Sequence, residues 1–140
     1  MTPFAALQSL CGLSNREAAD YLSISESAVE KYRRGAKTPA RGHLSELHDL
    51  WSVIDEAAMR LAEAMVESDL LNQADQIEIG YPSDDYEAQS LGLPNVGAWR
   101  QMLARVIDEL IMADATFDPT RIQLVPRGST LATAAASDQH

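Results

Sequence analysis

LSNREAADYLSISESAVEKYRRG, Leu13 to Gly35, carries Ala18, Leu22, Ile24, Val29 and Tyr32 at spacings that draw two short apolar helical faces. Ser14 stands three residues before Glu17, a capping-box pattern that starts a helix near Asn15 and carries it to Leu22. Ser23-Ile24-Ser25 then breaks the pattern; it is too short for a loop, and Ser25 is placed to cap a second helix through Arg34. Gly35 follows where a left-handed C-terminal residue is wanted. Ala19 falls where the two helices pass closest, and Leu22, Ile24, Val29 and Tyr32 occupy the positions that lock them at a steep angle. The outer side of the second helix then shows Glu26, Ser27, Glu30, Lys31 and Arg34. A polar face of that width, held by one apolar edge, can enter a major groove.

Outward from this stretch the chain reads as mainly α. Pro3 to Leu10 forms a first helix stopped by Gly12, and Thr38-Pro39 restarts the chain as N-cap and first helical residue. Leu44, Leu47, Trp51, Ile54, Ala58, Leu61 and Met65 alternate spacings of three and four, a seam of about three heptads in one long helix. Leu50, Val53, Ala57 and Ala64 widen that face, so the helix is expected to pack on more than one neighbour. Gln76–Pro82 reads as a short strand, Asp84–Ser90 as a short helix, LGLPN as a loop and Val96–Ala113 as a second strong helix. Arg121–Val125 is expected to be another short strand pairing with the first. The organisation is therefore 1–40, 41–127 with the long helix, and a small, polar, disordered tail at 128–140. LVPRGS, Leu124–Ser129, matches an engineered protease-cleavage sequence; no affinity tag follows, and the match is read as coincidence.

The net charge of −10 is unevenly spread. Residues 1–41 carry Arg16, Lys31, Arg33, Arg34, Lys37 and Arg41 against four acids, a balance of +2, whereas 42–140 stands at −12. A basic end and an acidic remainder are expected, and phosphate responds to the local field rather than to the whole-chain charge. No run is long enough to span a membrane, and the lone Cys11 lies among apolar residues. It reads as a core thiol in a cytoplasmic protein.

Two helices joined by SIS fit the helix-turn-helix template, and AVEKYRRGAKTP resembles the end of the recognition helix in the lambda-repressor/Xre class of regulators. GLPNVGAWRQMLARVIDELI is similar to the C-terminal motif of small two-part regulators that include anti-CRISPR-associated repressors. The first resemblance covers about the first 40 residues and the second roughly 41–115. Together they imply a helix-turn-helix head, a long connecting helix and a small C-terminal dimerisation segment with one or two short strands. The implied function is a dimeric, sequence-specific repressor on an inverted-repeat operator. Two residues depart from the class: Ser23 stands where Gly is usual, and Glu26 where Gln is frequent.

Lys31 and Arg34 suit guanine edges or phosphates, against the bland reading of a solvated face. Ser27 can reach a base or serve only as a local cap, and Glu26 can accept from cytosine or merely favour the helix start. Glu30 is expected to pair with Arg34 four residues on. By the resemblance Asn15 and Arg16 contact phosphate, and Arg33, Lys37 and Arg41 supply backbone or nonspecific charge. Trp51, Ile54, Leu61, Trp99, Leu103, Val106 and Leu110 are expected to form the contact of a tight homodimer, the two tryptophans at core or dimer contacts rather than as a base-stacking platform. His43 and His48 point to different sides of a helix, so no metal site is read. Asp84, Asp85 and Glu87 lack a nucleophile or phosphate loop, so no enzyme and no cofactor is expected. The expected partners are double-stranded DNA and a second copy. RNA on the same face, and an antitoxin-type role in which the acidic part binds a partner protein, stay open.

Overall fold

The computed structural model describes residues 1–73 and 75–127; the tail at 128–140, read above as disordered, lies outside the described residues. The chain is mainly helical, with one small two-stranded parallel sheet. Helix α1 spans Pro3–Leu10, α2 Asn15–Leu22, α3 Glu26–Arg34 and α4 Arg41–Glu67. A short helix α5, Leu70–Gln73, precedes strand β1, Ile77–Tyr81. Helices α6, Asp85–Ser90, and α7, Val96–Ala113, follow, and a 3-10 turn at Pro119–Arg121 leads into β2, Ile122–Pro126.

The local signals explain most of these boundaries. Ser14 Oγ accepts from Glu17 N at 3.1 Å while Ser14 N donates to Glu17 Oε1 at 2.9 Å, so the capping box is complete. Ser25 Oγ accepts from Ala28 N at 3.0 Å and opens α3. Ser23 turns the chain between them with φ 56° and ψ 44°, a left-handed conformation that glycine takes more cheaply. Gly35 closes α3 in the same way, with φ 79°.

The start of α4 differs from the expectation. Ala40, not Thr38, is the N-cap, without a side-chain cap, and Arg41 is the first helical residue. Thr38 and Pro39 instead line a groove with Phe4, Tyr32 and Leu44. Half-buried Pro39 packs into that groove instead of opening the helix, which therefore starts two residues later.

One hydrophobic cluster runs from Phe4 through Val29, Leu47 and Ile54 to Val106 and Phe117. Its spine is the α4–α7 contact, the most extensive between any two elements. The two helices run in the same direction. Asp55 accepts from Arg105 Nε at 2.9 Å, and further along Ala62 and Val66 face Leu110 and Ala113. Arg105 also pairs with Asp108 and Glu109 on its own helix. The chain returns between α4 and α7 through β1, which pairs in parallel with β2, Ile77 opposite Ile122 and Tyr81 opposite Pro126. The two strands expected from sequence do pair. Helix α4 also meets α1 and α5, the several neighbours that its wide apolar face calls for. Among the described residues, no helix is long and apolar enough to cross a membrane.

Candidate nucleic-acid interface

Helix α3 is fixed from one side and at both ends. Val29 is fully buried and Tyr32 nearly so, and both join Ala19 and Leu22 of α2 in the core; Ile24 between the helices is partly buried. The Tyr32 ring meets Phe4 of α1 edge-on at 5.2 Å between centroids. Thr2 Oγ1 lies 3.1 Å from the carbonyl oxygens of both Tyr32 and Arg33, so its single hydroxyl proton is shared between two of the last carbonyls of α3. Lys37 Nζ sits 5.9 Å over the Tyr32 ring. A helix held in this way can present its other side without moving.

That other side is polar and open. Glu26, Ser27, Glu30, Lys31 and Arg34 are exposed, and Arg33 is half-buried. Glu30 and Arg34 form no ion pair, contrary to expectation: both are exposed, where such a pair gains little over hydration. Among the described residues, the Arg34 guanidinium and the Lys31 ammonium are left without a carboxylate partner. Charge along α3 is graded, with Glu26 in the first turn and Lys31, Arg33 and Arg34 in the last. The same gradient suits the helix dipole, so charge placement alone does not identify a ligand.

The start of α2 is engaged with the rest of the chain. Arg16 Nη1 lies 2.9 Å from Asp20 Oδ2 and 3.3 Å from Asp85 Oδ2, and Asp85 holds the guanidinium more firmly protonated than usual. The resemblance implies a phosphate contact for Arg16, and a phosphate would meet it in competition with these two partly exposed carboxylate pairs. Asn15 Oδ1 accepts from Gln8 Nε2 at 2.9 Å, which fixes the amide and leaves its donor nitrogen to solvent.

The same joint contains a residue whose second role the sequence hides. Glu17 is 8 % exposed; its Oε1 serves the capping box, and its Oε2 accepts from Gly97 N at 2.7 Å. Asp85 likewise accepts from Val96 N at 3.1 Å with the oxygen that Arg16 leaves free. Two carboxylates thus join the first turn of α2 to the first turn of α7. A side chain at Gly97 would collide with the Gly12 carbonyl oxygen and the Glu17 carboxylate, so the contact requires glycine. Asp84 caps α6 and Glu87 accepts from Ser83 N at 3.0 Å, so the acidic run is structural.

The residues expected at a dimer contact are mostly spent inside the chain. Ile54, Trp99, Leu103, Val106 and Leu110 are buried in the α4–α7 packing, and only Trp51 and Leu61 stay half-exposed. The heptad seam finds its partner in α7 of the same molecule. The apolar side chains left open on these two helices are Val53, Met59 and Val66 of α4 and Ile111 and Met112 of α7; Met59 and Val66 line the groove between them. Among the described residues no group of three or more His, Cys, Asp or Glu is arranged to hold a metal ion. No protein-family model matches the chain, and no curated protein matches it.

Proposed function

We propose that the protein is a sequence-specific DNA-binding transcriptional regulator that reads double-stranded DNA with the outer face of α3. The observation that carries this reading is the combination at α3: an inner face locked to α1 and α2, and an outer face on which Lys31 and Arg34 have no ion-pair partner among the described residues. In this reading α2, the Ser23 turn and α3 act as a helix-turn-helix of the lambda-repressor/Xre kind. Lys31, Arg34 and Ser27 reach base edges or phosphates, and Glu26 selects against sequences that offer it no donor. Arg33, Lys37 and the Asn15 amide supply backbone contacts.

The regulator acts as a homodimer, a repressor on an inverted repeat, in which two copies of α3 meet successive half-sites. With the α4–α7 seam already filled, the proposed dimer contact uses open apolar residues of these helices, Met59 and Val66 at the groove between them. Binding is tested by selection from randomised duplex DNA, followed by affinity measurements on the enriched sequence. Enrichment of an inverted repeat supports the reading, and recovery of no consensus refutes it.

A second reading is favoured by one observation. The apolar groove between α4 and α7 is flanked by Glu63, Glu67 and Glu109, a surface suited to an apolar and basic segment of another protein. An antitoxin-type protein would use that groove, and co-purification of a stoichiometric basic partner would favour it over the dimer.

A further inference from the structure

Residues 42–127 carry five arginines in a strongly acidic setting. Arg60 pairs with Glu56, and Arg105 with three carboxylates. Arg121 donates to the carbonyls of Leu71 and Asp75, and Arg127 to Ser90 Oγ. Arg100 is different: among the described residues its guanidinium makes no ion pair and no hydrogen bond. A guanidinium that stays unpaired amid so many carboxylates is available to an anion from outside.

Arg100 lies at a cavity of about 490 Å³ between the first turns of α7 and the end of the sheet. That volume is in the range of small-molecule sites. The walls are apolar or aromatic: Tyr81 of β1, Val96 and Trp99 of α7, and Leu124 of β2, which is 47 % exposed. Ser83 adds a hydroxyl at the edge. The α7 N-terminus itself offers nothing to an anion, because Asp85, Glu17 and Asn95 already accept from Val96, Gly97 and Ala98. The cavity therefore has one cation and a flat apolar body. One charge suits a carboxylate and is too little for a polyphosphate, while half-buried Tyr81, exposed Leu124 and the small part of Trp99 that reaches the cavity suit an aromatic ring.

We propose that this cavity is a binding site for a small aryl-alkyl carboxylate, with the carboxylate on Arg100 and the ring between Trp99, Tyr81 and Leu124. The site stands independently of whether α3 reads DNA. It adjoins the joint described above, since Val96 lines the cavity and its amide is held by the Asp85 that pairs with Arg16.

The test uses the full chain carrying Trp51→Phe, which leaves Trp99 as the sole tryptophan reporter. Phenylacetate and phenylbutyrate are titrated while Trp99 emission is followed, with phenylbutyramide as the uncharged control. The expected result is a saturable change with at least one acid and none with the amide. Arg100→Gln should weaken that binding at least about tenfold, with Arg100→Lys between the two, because a forked guanidinium holds a carboxylate better than a point charge. Arg100 is exposed, so thermal melts of these variants should match that of the parent. No saturable change with either acid, equal binding of the amide, or undiminished binding to Arg100→Gln would each overturn the site.

Discussion

Ser23 carries the sharpest local conflict in the chain. Its left-handed backbone lets Ile24 N donate to Ala19 O at 3.0 Å, which closes α2 and aims α3. A β-carbon in that conformation costs free energy that glycine does not, partly offset by the entropy glycine loses on folding. Ser23→Gly should therefore raise stability by about 0.5–1 kcal/mol, read as a higher denaturant midpoint with an unchanged slope. Cys11 makes a second prediction at this scale. Its thiol is fully buried and donates to Leu47 O at 3.2 Å, and burial pushes its pKa up to about 11 from an ordinary 9.0. The unfolded chain then releases the proton at lower pH than the folded one, so stability is full below pH 9 and falls toward pH 11. The loss should be about 2–3 kcal/mol across that window. Comparing denaturant midpoints of the wild type and Cys11→Ala through this range isolates the effect, because their stability difference should shrink as pH rises. The burial of Cys11 was legible from its apolar neighbours. Its bond to a carbonyl 36 residues away was not, because nothing near Cys11 specifies which turn of α4 lies over it.

At the scale of elements, the N-terminal helices and α7 follow their local signals closely. Capping residues, Gly35 and the apolar spacing act within a few residues, and such signals survive packing. The α4 start did not follow, because the position of Pro39 is decided by a groove between α1 and α3 rather than by its neighbours in sequence. The joint of α2 and α7 was equally hidden. Glu17 announced a capping box, but its second oxygen serves a helix 80 residues away. Glu17→Gln replaces one of its two acceptor oxygens with a donor that must face Ser14 N–H or Gly97 N–H. It should cost about 1–3 kcal/mol, as a buried amide hydrogen loses its acceptor. Gly97→Ala should cost about as much, roughly 1–3 kcal/mol, since backbone as well as side chain must give way. Chemical denaturation of both variants checks this; melts equal to the wild type would show that the joint contributes nothing.

Across the whole molecule, the heptad seam of α4 was legible but its partner was not. Spacing shows that an apolar stripe exists, not whether a second copy or a later helix covers it. Here α7 covers it, and the proposed homodimer would use apolar residues that stay exposed on these helices, Met59 and Val66 at the groove between them. Met59→Glu together with Val66→Glu should therefore convert the proposed dimer to a folded monomer, and light scattering with circular dichroism on wild type and variant checks both states. The central claim is that the outer face of α3 reads DNA, and it rests on Lys31 and Arg34 standing free. Neither side chain is in the core, so Lys31→Ala and Arg34→Ala should melt like the wild type. The most direct measurement is the affinity of wild type and both variants for the duplex enriched by selection, across a salt series and beside scrambled DNA. The account predicts a loss of about 1–3 kcal/mol per substitution on the selected duplex and much less on scrambled DNA where the contact is to a base. Where the contact is to phosphate, the loss falls on all sequences and the salt slope drops by about one unit per charge and site. Unchanged affinity and unchanged salt slope in variants that melt normally would contradict it.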